Sequence, residues 1–468
     1  MYRFFPPLAL LALLATGAAA QEPRTSTASD QTGVALTVYN TDLGLVKERR
    51  SVTLDRGTGE LRFTDVAAQV IPASVQIRSL DEPGSLRALE QNYEYDLLTR
   101  EKLLDKYVGK EVQLYRQNPY TEREELVTAT LLANNGGPVF RIGDQITYDH
   151  PGRIIFPGVP ADLMARPTLV WLLENGRTSP QTLETTYLTA GIGWRADYVL
   201  TLGARDDAAD LAGWVTIDNR SGATYRDAVL KLVAGDVNRV QDQQMVRRKV
   251  LMEAAAAPAF REESFFEYHL YSLERPATVK NNQSKQIALL QAAGVPVKKD
   301  LVLKGEERYF YGALPGNEEQ RKPSVYLELK NAAANGLGMP LPRGIIRVYK
   351  EDGKGSAQFV GEDSIDHTPA NETVRIRMGE AFDVVASRKQ TEWKKLAADT
   401  HEAAFEIVVR NHRKEAVTVR VQEPIPGAWQ MLTASHTWKK TGAFGVEFPL
   451  AVAADGTVTL SYRVRIRH

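Results

Sequence analysis

The chain has 468 residues, of which 43% are hydrophobic, 25% charged and 8% aromatic, and its 58 basic side chains balance 58 acidic ones. This composition excludes collagen-like, coiled-coil and wholly disordered chains, and the balanced charge leaves no global field to gather nucleic acid or anionic lipid. The length suggests about three domains, each large enough to bury a core without metal or disulfides.

Residues 1–20 read as a cleaved export signal. Arg3 supplies a positive start, Leu8 to Leu14 an apolar run too short to span a bilayer, and Ala18-Ala19-Ala20 a small-residue cleavage site. The mature chain is therefore expected to begin at Gln21. The chain has no Cys, which excludes a lipid-attached signal, any disulfide and any thiolate site, and favours a bacterial exported protein. Residues 21–33 are small and polar and are expected to form a disordered lead-in. No later segment has the length and apolarity of a membrane span.

From residue 34 onward the dominant period is two. Ala35 to Tyr39, Glu60 to Phe63, Ser74 to Arg78, Thr373 to Arg377, Ala416 to Val421 and Thr457 to Ile466 alternate apolar with polar residues, so each puts one face in a core and one in water. An N-terminal β domain is expected over 34–98. Thr99 to Tyr107 predicts one short amphipathic helix, with Thr99 at its start and Gly109 beyond its end. It opens an insert at 99–160 whose short strands and tight turns predict a small SH3-like barrel. A central β-sandwich is expected in two parts, 165–240 and 264–395, separated by an Ala-rich linker or helix at 241–263. An immunoglobulin-like sandwich at 400–468 completes the chain. Four strands end at Asn40, Asn219, Asn331 and Asn411, a recurrence consistent with strand-turn chemistry. The predicted class is all-β: several linked β-domains, immunoglobulin-like sandwiches plus the small barrel insert, with few short helices.

Four stretches resemble the domain of unknown function 4139 family: YLTAGIGWRADY from Tyr187 to Tyr198, AGDVNR from Ala234 to Arg239, YHLY from Tyr268 to Tyr271, and GEDSIDHTP from Gly361 to Pro369. The family occurs in predicted exported bacterial proteins and in the C-terminal part of mucoidy-inhibitor-like proteins. The resemblance covers residues 165–468 and extends more loosely to residue 34. It implies an exported β-rich protein and carries over no catalytic residues. The chain departs from the mucoidy-inhibitor-like members in having no long coiled-coil middle segment.

The sequence contains no G-x-S-x-G, H-E-x-x-H or phosphate-cradling Gly-Lys loop. Gly191-Ile192-Gly193-Trp194-Arg195-Ala196 matches a loose dinucleotide pattern. It fails on context, because Trp194 to Leu202 reads as a strand where the pyrophosphate needs a helix N-terminus. No cofactor and no metal are expected.

Asp363, Asp366 and His367 lie close together in GEDSIDHTP, either as a turn bonding its own backbone or as ligating and proton-transfer groups. Asp236, Asn238 and Arg239 follow an apolar strand and suit an ion pair at a domain seam or a clamp on a ligand. Tyr268 and His269 fall within Phe265 to Leu273, read as one strand with aromatic residues on both faces, either core or a platform for sugar or peptide. Gly344 to Gly353 reads as an ordinary hairpin strand and its turn. These features predict an exported, non-catalytic protein of the periplasm or cell surface that binds an envelope protein or glycan. The alternative is an envelope polysaccharide or peptide hydrolase or lyase working through the Asp/His cluster.

Overall fold

In the computed structural model, the described residues are 23–468 apart from 118–123, 149, 151, 161–162, 236–259, 266–267, 315–317 and 353. The expected export signal at 1–20 lies outside them, as does the Ala-rich segment up to residue 259. The all-β prediction holds: strands dominate, and one α-helix is present among the described residues. None of the described helices is long and apolar enough to cross a membrane.

The strands expected from alternation form within a few residues of their predicted limits. Gln31–Tyr39, Gly57–Thr64, Gln76–Ser79, Thr373–Glu380, Val417–Pro424 and Thr457–Arg467 are each observed. In Gln31–Tyr39 the inward residues Val34, Leu36 and Val38 are buried while their neighbours are not. This is what a period of two requires of a strand with one face in a core.

Two sheets form the central body. One runs in the order Phe260–Phe265, Tyr268–Leu273, Tyr225–Ala234, Gln31–Tyr39, Leu43–Val52, Gln181–Thr189 and Gln76–Ser79. The other runs Ala357–Ile365, Gly344–Glu351, Ile192–Leu202, Ala208–Asn219 and Gln283–Lys304, then continues into Val417–Pro424, Gly445–Val452 and Lys439–Lys440. Their facing residues, including Leu36, Tyr187, Trp194, Tyr198 and Leu289, share one apolar cluster. The same cluster takes in Phe63 and Trp171 of a four-stranded sheet, whose rings meet edge to face at 5.9 Å.

The strand Gln283–Lys304 is 22 residues long. At about 3.3 Å per residue it extends roughly 70 Å. Its first half pairs with Ala208–Asn219 and its second half with Ser324–Lys330 and Val417–Pro424. One continuous backbone therefore links the central sandwich to a second apolar cluster, built from Leu301, Phe310, Phe405, Phe448 and Tyr462 among others.

Three expectations are corrected. The lead-in is ordered from Arg24: Arg24–Ser26 pairs in parallel with Gly57–Thr64, and the Asp30 carboxylate accepts the backbone N–H of Thr27 at 2.9 Å. Its polar residues cap and turn the chain, which composition alone does not distinguish from disorder. The insert is an open sheet, not a barrel. Gln145–Tyr148 and Arg153–Ile155 sit at opposite ends of its five-strand order without pairing to each other, and the helix Arg100–Tyr107 adds Leu104 and Tyr107 to its core. Finally, the segment read as one strand over 265–273 is a hairpin, Phe260–Phe265 against Tyr268–Leu273, with Phe265 opposite Tyr268. Alternation carries no mark of where one strand ends and its antiparallel partner begins.

The recurrent strand-end asparagines are clamps. Asn219, Asn331 and Asn411 are each at most 1% exposed. The Asn219 side-chain amide donates to the carbonyls of Ala223 and Lys280 at 2.9 and 3.0 Å, while its oxygen accepts from the Ser221 N–H at 3.1 Å. Asn331 ties Met339 to Pro369 in the same way, and Asn411 ties Glu415 to Ala453. Each buried amide thus satisfies carbonyls of two loops that secondary structure leaves orphaned. Asn219→Ala is expected to cost about 1–3 kcal/mol. Asn219→Asp should cost more, because a carboxylate oxygen would face those carbonyls where a donor now stands. Urea unfolding of both variants checks the order, and an aspartate variant as stable as the wild type would remove the clamp role.

Candidate functional site

The outer face of the central sheet, turned away from the shared apolar cluster, carries an unusual set of residues. Trp194, Ala196, Tyr198 and Leu200 of strand Ile192–Leu202 point into the core, so Arg195, Asp197, Val199 and Thr201 share the opposite face. On Gly344–Glu351, Ile346 and Val348 enter the core and leave Ile345, Arg347 and Tyr349 outside. Parallel pairing sets Val199 opposite Arg347, and antiparallel pairing sets Asp197 opposite Trp214 and Val199 opposite Ala212.

A chain of alternating charges runs across this face. Asp218 is bound by Arg195 and by the Ser284 hydroxyl; Arg195 Nε also lies 3.4 Å from Asp197; Arg347 Nη1 reaches Asp197 at 3.4 Å; and Arg347 Nε lies 3.2 Å from Glu362. Burial pushes the Asp218 carboxyl up, but the bonds from Ser284 and Arg195 outweigh it and hold the group below its ordinary range. Arg347 is 1% exposed. Its Nε and Nη2 are buried without hydrogen-bond partners, the Glu362 contact being close yet off the angle a hydrogen bond needs. Nε1 of buried Trp214, on the same face, also has no acceptor.

Two grooves adjoin this chain. The first, about 740 Å³, lies where Arg195, Arg343, Glu362, Asp363 and His367 meet the Asn40-Thr41 turn. Asn40 is the exception among the strand-end asparagines, since its buried Oδ1 accepts no hydrogen bond. The second groove, about 390 Å³ and mainly apolar, is walled by Val199, Ala212, Trp214 and Tyr349. Phe359, 56% exposed, meets Tyr349 edge to face at 5.6 Å.

Asp363 and His367 therefore come together, while Asp366 is not among the residues lining either groove. The Asp363 carboxylate accepts the backbone N–H groups of Ser364 at 2.9 Å and Arg377 at 2.7 Å, which ties its strand to Thr373–Glu380. His367 is exposed, and its Nδ1 accepts the Arg343 N–H at 3.1 Å. The exposed Asp366 accepts the Thr368 hydroxyl through its backbone carbonyl at 2.8 Å.

Asp236, Asn238 and Arg239 lie outside the described residues, although Ala234 before them pairs with His269. His269 Nδ1 meets Glu262 at 2.7 Å across the hairpin. Tyr268 packs against Gly235, where a Cβ would come within 2.6 Å of its ring. Neither Tyr268 nor His269 lines either of these two grooves. Trp194 links the two regions, donating to the Val233 carbonyl at 3.1 Å and meeting the Tyr271 ring at 6.2 Å. Among the described residues no three His, Asp or Glu side chains are grouped to hold a metal ion.

Arg195, Asp197, Trp214, Arg347 and Tyr349 were not singled out from sequence as site residues. The available signal was charge at alternate positions of neighbouring strands, Arg195 and Asp197 on one and Arg347 on another, where a solvated face would also carry it.

The fold is a multi-sheet β protein whose central sheet bears an ion chain, buried at Asp197 and Arg347, beside two grooves. The profile of the domain of unknown function DUF4139 matches residues 183–468, and the chain belongs to that family. Both grooves are lined largely from within this region. No curated protein matches the chain.

Proposed function

We propose that the protein is an exported, non-catalytic binding protein of the bacterial envelope, and that the outer face of its central sheet holds the partner. The observation that carries this reading is the groove at Arg195, Glu362 and His367, backed by a prearranged ion chain and adjoining buried polar groups left without partners. Asn40, in the lining of this groove, has a buried Oδ1 that accepts no hydrogen bond, and a ligand that supplies a donor recovers that cost. The Asp363 carboxylate spends both oxygens on backbone N–H groups, which suits a structural role better than acid-base chemistry. The N-terminal Arg3, apolar run and Ala18 to Ala20 support export.

Two measurements test the proposal. Intact-mass analysis of fractionated cells should find a chain beginning at Gln21 outside the cytoplasm; a cytoplasmic chain retaining Met1 overturns export. Calorimetric titration of the purified mature protein with solubilised envelope glycan and peptide fragments should show binding without turnover. Arg195→Ala should weaken that binding about tenfold, the effect of losing one charge-assisted contact. Turnover that disappears in Asp363→Asn would replace this reading with the hydrolase one.

A further inference from the structure

We propose that a third groove, at the edge of the second sandwich and separate from the two on the central sheet, binds an acidic sugar chain, its carboxylates received by Lys440 and Arg467 and its ring faces by the aromatic wall beside them.

The groove, about 800 Å³, opens where Ala428–Ala434, the edge strand of one sheet, meets Lys439–Lys440, the edge strand of the other. Its lining includes Trp429, Lys440, Phe444 and Arg467 around the small residues Gly427 and Ala443. At Gly427 φ is 69° and a Cβ would stand 2.4 Å from the Arg467 carbonyl oxygen, so glycine is what lets the two backbones meet there. The volume lies within the range of small-ligand sites.

Charge sets the sign of the ligand. Lys440 and Arg467 are both exposed lining residues, and no Asp or Glu is among the described residues that line the groove. The Lys440 ammonium lies 4.6 Å from the centre of the Trp429 ring and has no carboxylate partner among the described residues. Arg467 gives Nε to Asp399 at 2.9 Å and leaves both Nη groups without a partner among the described residues. Buried Glu447 is held by the neighbouring Lys439 at 3.0 Å. A carboxylate entering here meets two accessible donors that carry positive charge.

The walls and the main chain select what carries that carboxylate. Phe444 is 59% and Trp438 39% exposed, and the Trp438 ring meets that of Trp429 at 5.9 Å. A sugar ring lays its face of C–H groups on such surfaces and holds a carboxylate at its edge. An extended peptide would need backbone partners, and the rim has largely spent them. The Ala443 carbonyl accepts the Trp429 indole N–H at 2.9 Å, those of Phe444 and Gly445 accept the N–H groups of Ile425 and Thr441 at 2.7 and 2.9 Å, and a bulge between Met431 and Thr433 interrupts the edge strand.

The test is calorimetric titration of the full mature chain, in low salt, with the trimer of galacturonic acid and with the same trimer fully methyl-esterified. The acid should bind and the ester should not. Lys440→Gln should weaken binding of the acid about tenfold, the effect of losing one charge-assisted contact, and Phe444→Ala about fivefold, both with the thermal midpoint of the wild type. Arg195→Ala, on the central sheet, should bind the trimer as the wild type does.

No binding at millimolar trimer overturns the proposal, as does equal binding of the ester. So does binding that Arg195→Ala abolishes while Lys440→Gln and Phe444→Ala leave it unchanged. Sedimentation with phosphatidylglycerol vesicles that Phe444→Ala prevents, from a protein that ignores the trimer, would assign the aromatic and basic surface to a membrane instead.

Discussion

Replacing Arg388 by methionine is expected to destabilise the protein by about 3–5 kcal/mol, the cost of leaving a buried charge without its partner. Arg388 is 6% and Glu423 1% exposed, and they face each other across the second apolar cluster. The guanidinium donates to Glu423 Oε2 at 3.0 Å through Nη1, and to Oε1 through Nη2, in the two-pronged geometry that suits arginine and not lysine. It also lies 4.6 Å from the centre of the Tyr309 ring. Desolvation works against the positive charge, but Glu423 outweighs it and drives the Arg388 pKa up. Gly305 leaves room for the carboxylate, since a Cβ there would collide with Glu423 Oε2. Methionine fills the volume of the arginine stem and leaves the Glu423 carboxyl without its partner in an apolar core. The double variant Arg388→Met/Glu423→Leu should recover most of the loss, because a buried pair replaced whole by apolar groups is often neutral. Urea unfolding of the three proteins decides the point. A single variant as stable as the wild type would mean that water reaches Glu423 once Arg388 is gone.

The fold class was legible because sheets with one wet face write a period of two into their strands, and Gln31–Tyr39 and Thr457–Arg467 show it without interruption. The helix was legible because Thr99 caps it, accepting the Lys102 N–H at 3.2 Å, a contact confined to one turn. Closure of the insert was not legible, since short strands announce themselves but not whether their outermost members pair. The asparagine recurrence was visible, yet the reason for it needs carbonyls such as that of Lys280, 61 residues from Asn219. The site divides on the same line. Asp363 and His367 stand in a distinctive local tract and do line a groove. Arg347 sits in a strand with an ordinary hairpin pattern, and its significance comes from Asp197, 150 residues away. Local chemistry leaves a local signature, whereas an ion chain across several strands is assembled by strand order.

Arg50→Met is expected to cost a similar amount, about 3–5 kcal/mol at neutral pH, and its cost should depend on pH. Arg50 is fully buried; it donates through Nε to Glu48 at 2.8 Å, through Nη1 to the Ser26 carbonyl at 2.9 Å and through Nη2 to the Thr64 carbonyl at 2.8 Å. Its guanidinium carbon lies 3.4 Å from the centre of the Phe63 ring. One side chain therefore fastens Arg24–Ser26 and the end of Gly57–Thr64 to Leu43–Val52. Burial already raises the Glu48 carboxyl, and the charge and hydrogen bond of Arg50 work to lower it. Without Arg50 that carboxyl rises further. A carboxyl whose folded pKa exceeds its unfolded value of about 4.3 costs nothing while both states are protonated, and its penalty grows as pH rises from the unfolded value to the folded one and is constant above it. The gap between wild type and variant should thus be widest at neutral pH and narrow as the solution is acidified. Arg50→Met/Glu48→Gln lacks the titrating group, so its gap to wild type should change with pH only by the smaller contribution of Glu48 in the wild type. Urea midpoints of the three proteins across the acid range separate the two sources of the loss. A gap for Arg50→Met that stays constant with pH would assign it to the orphaned carbonyls of Ser26 and Thr64 and away from Glu48.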